Sequence, residues 1–440
     1  MGKHLKNHKT DKDKILDRAV FAVLLIAVSI VTLVLFYRQT MGNPKYYHSD
    51  MKAYILEMQG IGSKYSFPYP IFFKSAAFLN LFTTPELAVA LATMLFNGLA
   101  IVITKLTFNY LTLGGLEAAI ENRQNRLREV GKNSLLKKWM AGAFLSIVAV
   151  SLFFISMLYP PTGIYLPGIK FKYLGVFTAN PFHNATYMAA RPFAILAFLW
   201  YGKLLPVYEK GCAGKSAGNV DAPILKDYIL FSLFLLLATM TKPSFTIVLV
   251  GAAGLIMLYR LFRSKFKNLV PTIQLGLCFI PTFIDLLYQY NGVFVPKEGA
   301  EGGIGFCFGE VWANYCTNIP LAVCLAIGFP ILVLLLNYKE LKRDSLYRFS
   351  WQVYLMSFAM AFFLYEKGFR KADFNFSWGY MYGIFFCHFE ALLVLLKATA
   401  VGAGSKKKAL LIGLQWLAYL WHLVCGIFYF GVLMKGWMYY

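Results

Sequence analysis

Ala19–Tyr37, AVFAVLLIAVSIVTLVLFY, gives way after a short polar stretch to Tyr46-Tyr47-His48-Ser49-Asp50-Met51-Lys52. A helix of about 20 apolar residues crosses the ~30 Å hydrocarbon core of a bilayer, and this run has that length. Lys3, Lys6, Lys9, Lys12 and Lys14 precede it. The run is nevertheless too long for the apolar core of a cleaved signal peptide and lacks a small-x-small exit. It reads as a first membrane anchor. Asp50 then falls just past the water–lipid boundary, between His48 and Lys52. It opens a loop that runs through Phe67-Pro68-Tyr69-Pro70 to Pro85-Glu86. A lone loop aspartate is ordinarily only solvated. At that boundary, beside cations, a carboxylate can instead act as a base on a substrate whose other half lies in the bilayer.

The rest of the chain repeats this alternation. Of 440 residues, 58% are hydrophobic and 15% charged, against about 45–50% and about 25% in soluble domains; the mean hydropathy is +0.57. The fold class is an all-α polytopic membrane protein, with residues 1–440 forming one transmembrane domain. Run length, charged flanks and Pro/Gly breaks place spans near 17–37, 86–112, 139–158, 190–206, 227–241, 244–262, 269–290, 318–337, 349–365, 381–398 and 409–434, about eleven in all. The net charge of +22 is carried by short connections. Examples are Arg123 to Lys138 (with Arg128 and Lys132), Arg260 to Lys267, Lys339 to Arg348 and Lys406 to Lys408. That distribution suits orientation by the positive-inside rule and attraction to anionic membrane lipids rather than to nucleic acid, for which no motif is present. It predicts a multi-pass cell-membrane protein with a cytoplasmic amino terminus.

On this topology the extracytoplasmic loops hold the informative residues. In the first, 38–85, Met51–Met58 and Ile71–Phe82 have the look of two interfacial helices. The second, 159–189, ends in Asn180-Pro181-Phe182-His183-Asn184, with Arg191 entering the next helix. Lys242 stands alone at a tight helical turn. The loop 291–317 carries Glu298, Glu301, Trp312 and Tyr315, and 366–382 carries Arg370, Lys371, Trp378 and Tyr380. Outer cations oppose the topology signal. Singly they can snorkel to lipid phosphates; Lys242, Arg191 and Arg370 converging predict a bound phosphate or pyrophosphate. Asp285, near the outer end of its helix, is the intramembrane acid best placed for a site, while Glu390 and Gln415 are deeper. His388 and His422 fall within spans and read as hydrogen-bonded core residues. Trp378 suits stacking on a sugar, although an aromatic belt accounts for it equally. The seven cysteines show no metal-site spacing. Cys307 and Cys316 share one loop, where a disulfide is an open alternative.

The first span, the large outer loop with the early Asp50 and two interfacial helices, and the further outer loops together resemble the GT-C-fold integral membrane glycosyltransferases. That resemblance implies a polyprenyl-phosphate-linked sugar donor and Asp50 as the catalytic base for a glycan, lipid or protein acceptor. By position and chemistry, His48, Lys52, His183, Arg191, Lys242, Asp285, Arg370 and Trp378 are the candidate substrate-binding residues. Met51 follows Asp50 where several branches of the family carry a second acid. No cofactor is assigned, and a divalent metal is left open. Two other functions fit parts of the pattern. A polymerase of lipid-linked oligosaccharides would use the same cations without an acidic base. A transporter or flippase would spread polar residues through its spans and often show a repeat between halves.

Overall fold

The computed structural model describes residues 11–61, 67–126, 134–159, 171, 174–212, 224–293, 302–402 and 404–436. Lys3, Lys6, Lys9, Arg128, Lys132, Glu298 and Glu301 lie outside them. The architecture is helical: α1 (Asp11–Met41), α2 (Met51–Met58), α3 (Pro70–Asn80), α4 (Pro85–Arg126), α5 (Ser134–Ser151) and α6 (Ala185–Cys212) come first. Next are α7 (Leu225–Thr241), α8 (Ser244–Arg263), α9 (Leu269–Leu277), α10 (Ile280–Val293), the short α11 (Glu310–Ala313), α12 (Ile319–Ala326) and α13 (Gly328–Leu336). The last are α14 (Glu340–Arg343), α15 (Ser345–Phe363), α16 (Ser377–Val401) and α17 (Lys406–Met434). Two three-residue strands, β1 (Ile304–Phe306) and β2 (Leu364–Glu366), pair antiparallel.

Helices occupy every predicted span, and among the described residues six are long and apolar enough to cross a membrane. Eight qualify if each of two bent pairs counts as one crossing: α9 with α10, bent by 52°, and α12 with α13, bent by 69°. The chain is a multi-pass membrane protein by this measure. The remaining predicted spans correspond to α5, α7 and α15, which fall short in length or in apolar character. Helices that are apolar all round carry no periodicity to reveal such bends or ends.

Helix α16 lies at the centre, buried at every position from Gly379 to Leu396, and packs against α15 and α4. A helix that is apolar all round is expected in the middle of a bundle. Polar groups inside the bundle are matched, as a medium without water demands. Lys105 on α4 donates to Asp17 on α1 at 3.0 Å and to the Gly142 carbonyl at 2.9 Å. At the α12–α13 bend the amide of Phe329 donates to His422 Nε2 at 3.1 Å, so Nδ1 carries the proton given to the Ser156 carbonyl at 2.6 Å. His422 is thus a core histidine that mends a broken helix. Gln415 accepts from Asn337 at 2.9 Å. Cys307 and Cys316 are buried free thiols.

One end of the bundle carries ion pairs between its helices. Glu209 accepts from Arg260 and Arg348, each at 2.6 Å, and Asp344 from Lys397 at 3.0 Å. The opposite end holds a cavity.

Candidate functional site

The cavity, of about 870 Å³, lies among α2, α7, α8, α10, the β1–β2 pair and the start of α16. Of the residues expected to bind substrate, His48, Asp50, Lys52, His183, Lys242, Arg370 and Trp378 all line it. Its other wall is apolar, formed by Ile247, Val248, Leu286, Met360 and Leu364.

Asp50 occupies the N-cap position of α2, yet its side chain makes no cap bond. An aspartate cap ordinarily stabilises a helix by about 1 kcal/mol, so the carboxylate is committed elsewhere. Its Oδ2 accepts from Asn184 Nδ2 at 2.7 Å and from the Tyr54 hydroxyl, one turn along α2, at 3.2 Å. No donor to Oδ1 is present among the described residues, which leaves that oxygen for a ligand. Tyr54 is held by the edges of Phe67, Phe72 and Phe73, at 5.2, 5.9 and 5.8 Å, so α3 fixes what α2 presents.

Asn184 is the residue that orients the acid. It caps α6, accepting from the amide of Tyr187 and from the hydroxyl of Thr186, both at 2.9 Å. With Oδ1 engaged as the cap, Nδ2 must face away from the helix, and its two hydrogens go to Asp50 and to the Tyr54 oxygen at 2.7 Å.

Lys242 ends α7 because Pro243 follows. The residue before a proline is pushed towards extended backbone, and Lys242 has φ −168 and ψ 121. Its ammonium is buried, 4.7 Å from the Trp378 ring centroid and 5.9 Å from that of Tyr69, and it donates to Thr186 at 3.2 Å. An ammonium has three donors, and no carboxylate is paired with this one among the described residues. Burial lowers its pKa from 10.5 to about 8. Thr186, which accepts from this cation, lies 3.2 Å from the Tyr54 hydroxyl that donates to Asp50.

Other predicted residues are more constrained. Arg370 is committed to Glu366 at 3.3 Å and Asp373 at 3.1 Å. Glu366 also accepts from Asn375 at 2.7 Å, and burial raises its pKa. His183 lies 5.3 Å from Trp378; burial, chiefly, with His48 and Lys242 adding to it, pushes its pKa down to about 3. It is therefore neutral near pH 7 and contributes no charge.

Two residues fall elsewhere. Arg191 is in the second turn of α6, wholly buried, donating to the carboxamides of Asn180 and Asn97 (2.6 Å to the latter) and lying 4.7 Å from the Phe153 ring. Two turns further along α6 than Asn184, it is engaged by these carboxamides inside the bundle and does not line the cavity. Asp285 accepts from Gln289 at 2.7 Å, and Gln289, not Asp285, lines the cavity. Asn184, Tyr54, Thr186, Tyr69 and Glu366 were not anticipated. Only Asn184 carried a local sign, as an asparagine immediately before a helix-forming run. Among the described residues no three His, Cys, Asp or Glu side chains converge as metal ligands.

Fold and site define a class: an all-helical multi-pass membrane protein with a polar and apolar cavity at one end of its bundle. Comparison with protein-family models, curated proteins and solved structures gives no match to this chain.

Proposed function

We propose that this protein is a GT-C-like glycosyltransferase that moves a sugar from a polyprenyl-phosphate donor to a glycan, lipid or protein acceptor. The observation that carries the reading is a cavity with an oriented carboxylate, a buried ammonium with donors to spare and an apolar wall. An amphiphile with an anionic junction between sugar and lipid matches all three.

In this mechanism Asp50 Oδ1 takes the proton of the acceptor hydroxyl as its oxygen attacks the anomeric carbon. The bond from that carbon to the phosphate oxygen breaks, and the electron pair leaves with the phosphate. The configuration inverts, because no enzyme group forms a bond to the sugar. Lys242 stabilises the charge growing on the phosphate, a role commonly worth about 10²–10³ in rate. Arg370 is bound by two carboxylates and serves chiefly to shape the wall. Trp378 offers a face to the sugar.

The orientation proposed with it has the amino terminus in the cytoplasm, the cavity extracytoplasmic, and up to eleven crossings if α5, α7 and α15 also span. Single cysteines introduced at Ser49 and Ser405 should be labelled from outside and from inside respectively; the opposite pattern reverses the orientation. For the chemistry, lipid-linked sugars and surface glycans are measured by mass spectrometry in a deletion strain complemented with variants. Wild type and Glu57→Gln should restore the missing product. Asp50→Asn should lower transfer by about 10²–10⁴, the range for loss of a general base. Normal complementation by Asp50→Asn would falsify the assignment.

A further inference from the structure

Helix α8 starts at the cavity with Ser244 and Val248 and runs 20 residues to Arg263. At about 1.5 Å per residue it ends some 30 Å away, at the opposite face. The turn that follows, Ser264–Asn268, is built with care. Lys265 and Phe266 both take left-handed backbone, φ 50 and 63, where glycine is the usual helix-ending residue. The turn is closed by Phe266 N to the Leu261 carbonyl at 2.9 Å and Lys265 N to that of Phe262 at 3.0 Å. Buried Asn268 holds it to α6 through Cys212 at 2.9 Å.

This turn presents Arg263, Lys265 and Lys267, all exposed. Among the described residues none of the three is paired with a carboxylate, in contrast to Arg260, Arg348 and Lys397 at the same end of the bundle. Arg263 instead receives an oxygen from Tyr259, donating to its hydroxyl at 2.8 Å. Beside the cations lie Phe262, 65% exposed, and Phe266, 52% exposed, packed edge to face at 5.5 Å. Cations at the end of an apolar span, with aromatic rings level with them, fit a lipid headgroup and the upper part of its chains.

We propose that the Arg263–Lys267 turn is a binding site for the phosphodiester headgroup of an anionic phospholipid in the adjoining leaflet. Phe262 and Phe266 lie along the acyl region, and the three cations hold the phosphate. The left-handed pair sets Lys265 and Phe266 as a cation and an apolar group on one tight turn. The site is remote from the cavity and does not depend on its chemistry.

The test is native mass spectrometry of the full chain in mild detergent with a defined mixture of phosphatidylglycerol and phosphatidylcholine. Phosphatidylglycerol adducts should be retained in preference by the wild type. The Arg263→Gln, Lys265→Gln, Lys267→Gln triple variant should lose that preference by about fivefold for each cation removed, before screening by salt. Neutralising the exposed Lys406, Lys407 and Lys408 in the same way should leave it unchanged. Phe266→Ala should weaken retention of the lipid while leaving the response to inorganic phosphate unaltered. Equal loss in both triple variants, or none in the first, overturns the proposal. Displacement of the lipid by millimolar inorganic phosphate overturns the lipid as the ligand.

Discussion

Replacing Asn184 tests whether one carboxamide both ends a loop and aims the acid. In Asn184→Ala the cap to the Tyr187 amide goes, at about 1 kcal/mol. The donor to Asp50 goes too. Hydrogen bonds to charged groups contribute about 1.5–3 kcal/mol, and the lower end applies because half-buried Asp50 can recover water. Together the loss is about 2.5 kcal/mol. Asn184→Ser keeps an oxygen for the cap and loses the same donors, to Asp50 and to Tyr54, as the alanine variant, so it should cost about 1 kcal/mol less. The difference of about 1 kcal/mol between the two variants isolates the cap. Reversible unfolding in mixed micelles, followed by tryptophan fluorescence, reads both values. On the function proposed above, both variants should be impaired alike in transfer assays, since each removes the Asn184 donor that orients Asp50. If the serine variant is as unstable as the alanine variant, the cap is not what sets the amide. If neither moves stability by more than about 0.5 kcal/mol, the network does not hold the site.

The lowered pKa of Lys242, about 8, predicts that its cation is present below that pH and lost above it. Sulfate, doubly charged throughout this range, should therefore bind the purified protein more weakly at pH 9 than at pH 7, and Lys242→Met should abolish that difference; an unchanged pH dependence in the variant assigns it to another group. For folding the sign is opposite: between about 8 and 10.5 the unfolded chain holds the extra proton, so this group's contribution to stability rises with pH. Within α17, a Cβ on Gly426 would run into the backbone carbonyl of Phe154, whereas Gly431 has open space around it. Gly426→Ala should destabilise by about 1–3 kcal/mol through overpacking, and Gly431→Ala should be neutral or slightly stabilising; equal thermal midpoints for the two would show that the contact yields freely.

Polar residues scattered through an apolar chain were the legible part. His48, Asp50, Lys52, His183, Lys242, Arg370 and Trp378 are distant in sequence, yet membrane spans return the chain to the same face, so such residues tend to meet. Arg191 breaks that reasoning because it lies two turns past the helix start, where Asn97 and Asn180 engage it inside the bundle. Span count was less legible: helices occupy the predicted spans, but α5, α7 and α15 fall short in length or apolar character, and bends after Leu277 and Ala326 interrupt two others. The supporting residues around Asp50 were hidden by their ordinary appearance. Tyr54 and Thr186 become significant only when α2 and α6 are placed side by side.

Arg191 has a mechanical consequence. Its guanidinium fits between two carboxamides on separate segments, Asn97 of α4 and Asn180 of the preceding loop, like a key in a keyway. Slipping α6 by one residue would turn it by about 100° and drag a permanent charge towards hydrocarbon, which the bilayer resists by several kcal/mol. Helix α6 therefore has a single angular setting. Asn184, two turns away on the same rod, inherits that setting and passes it to Asp50. Any breathing of the cavity must then come from lining elements other than α6.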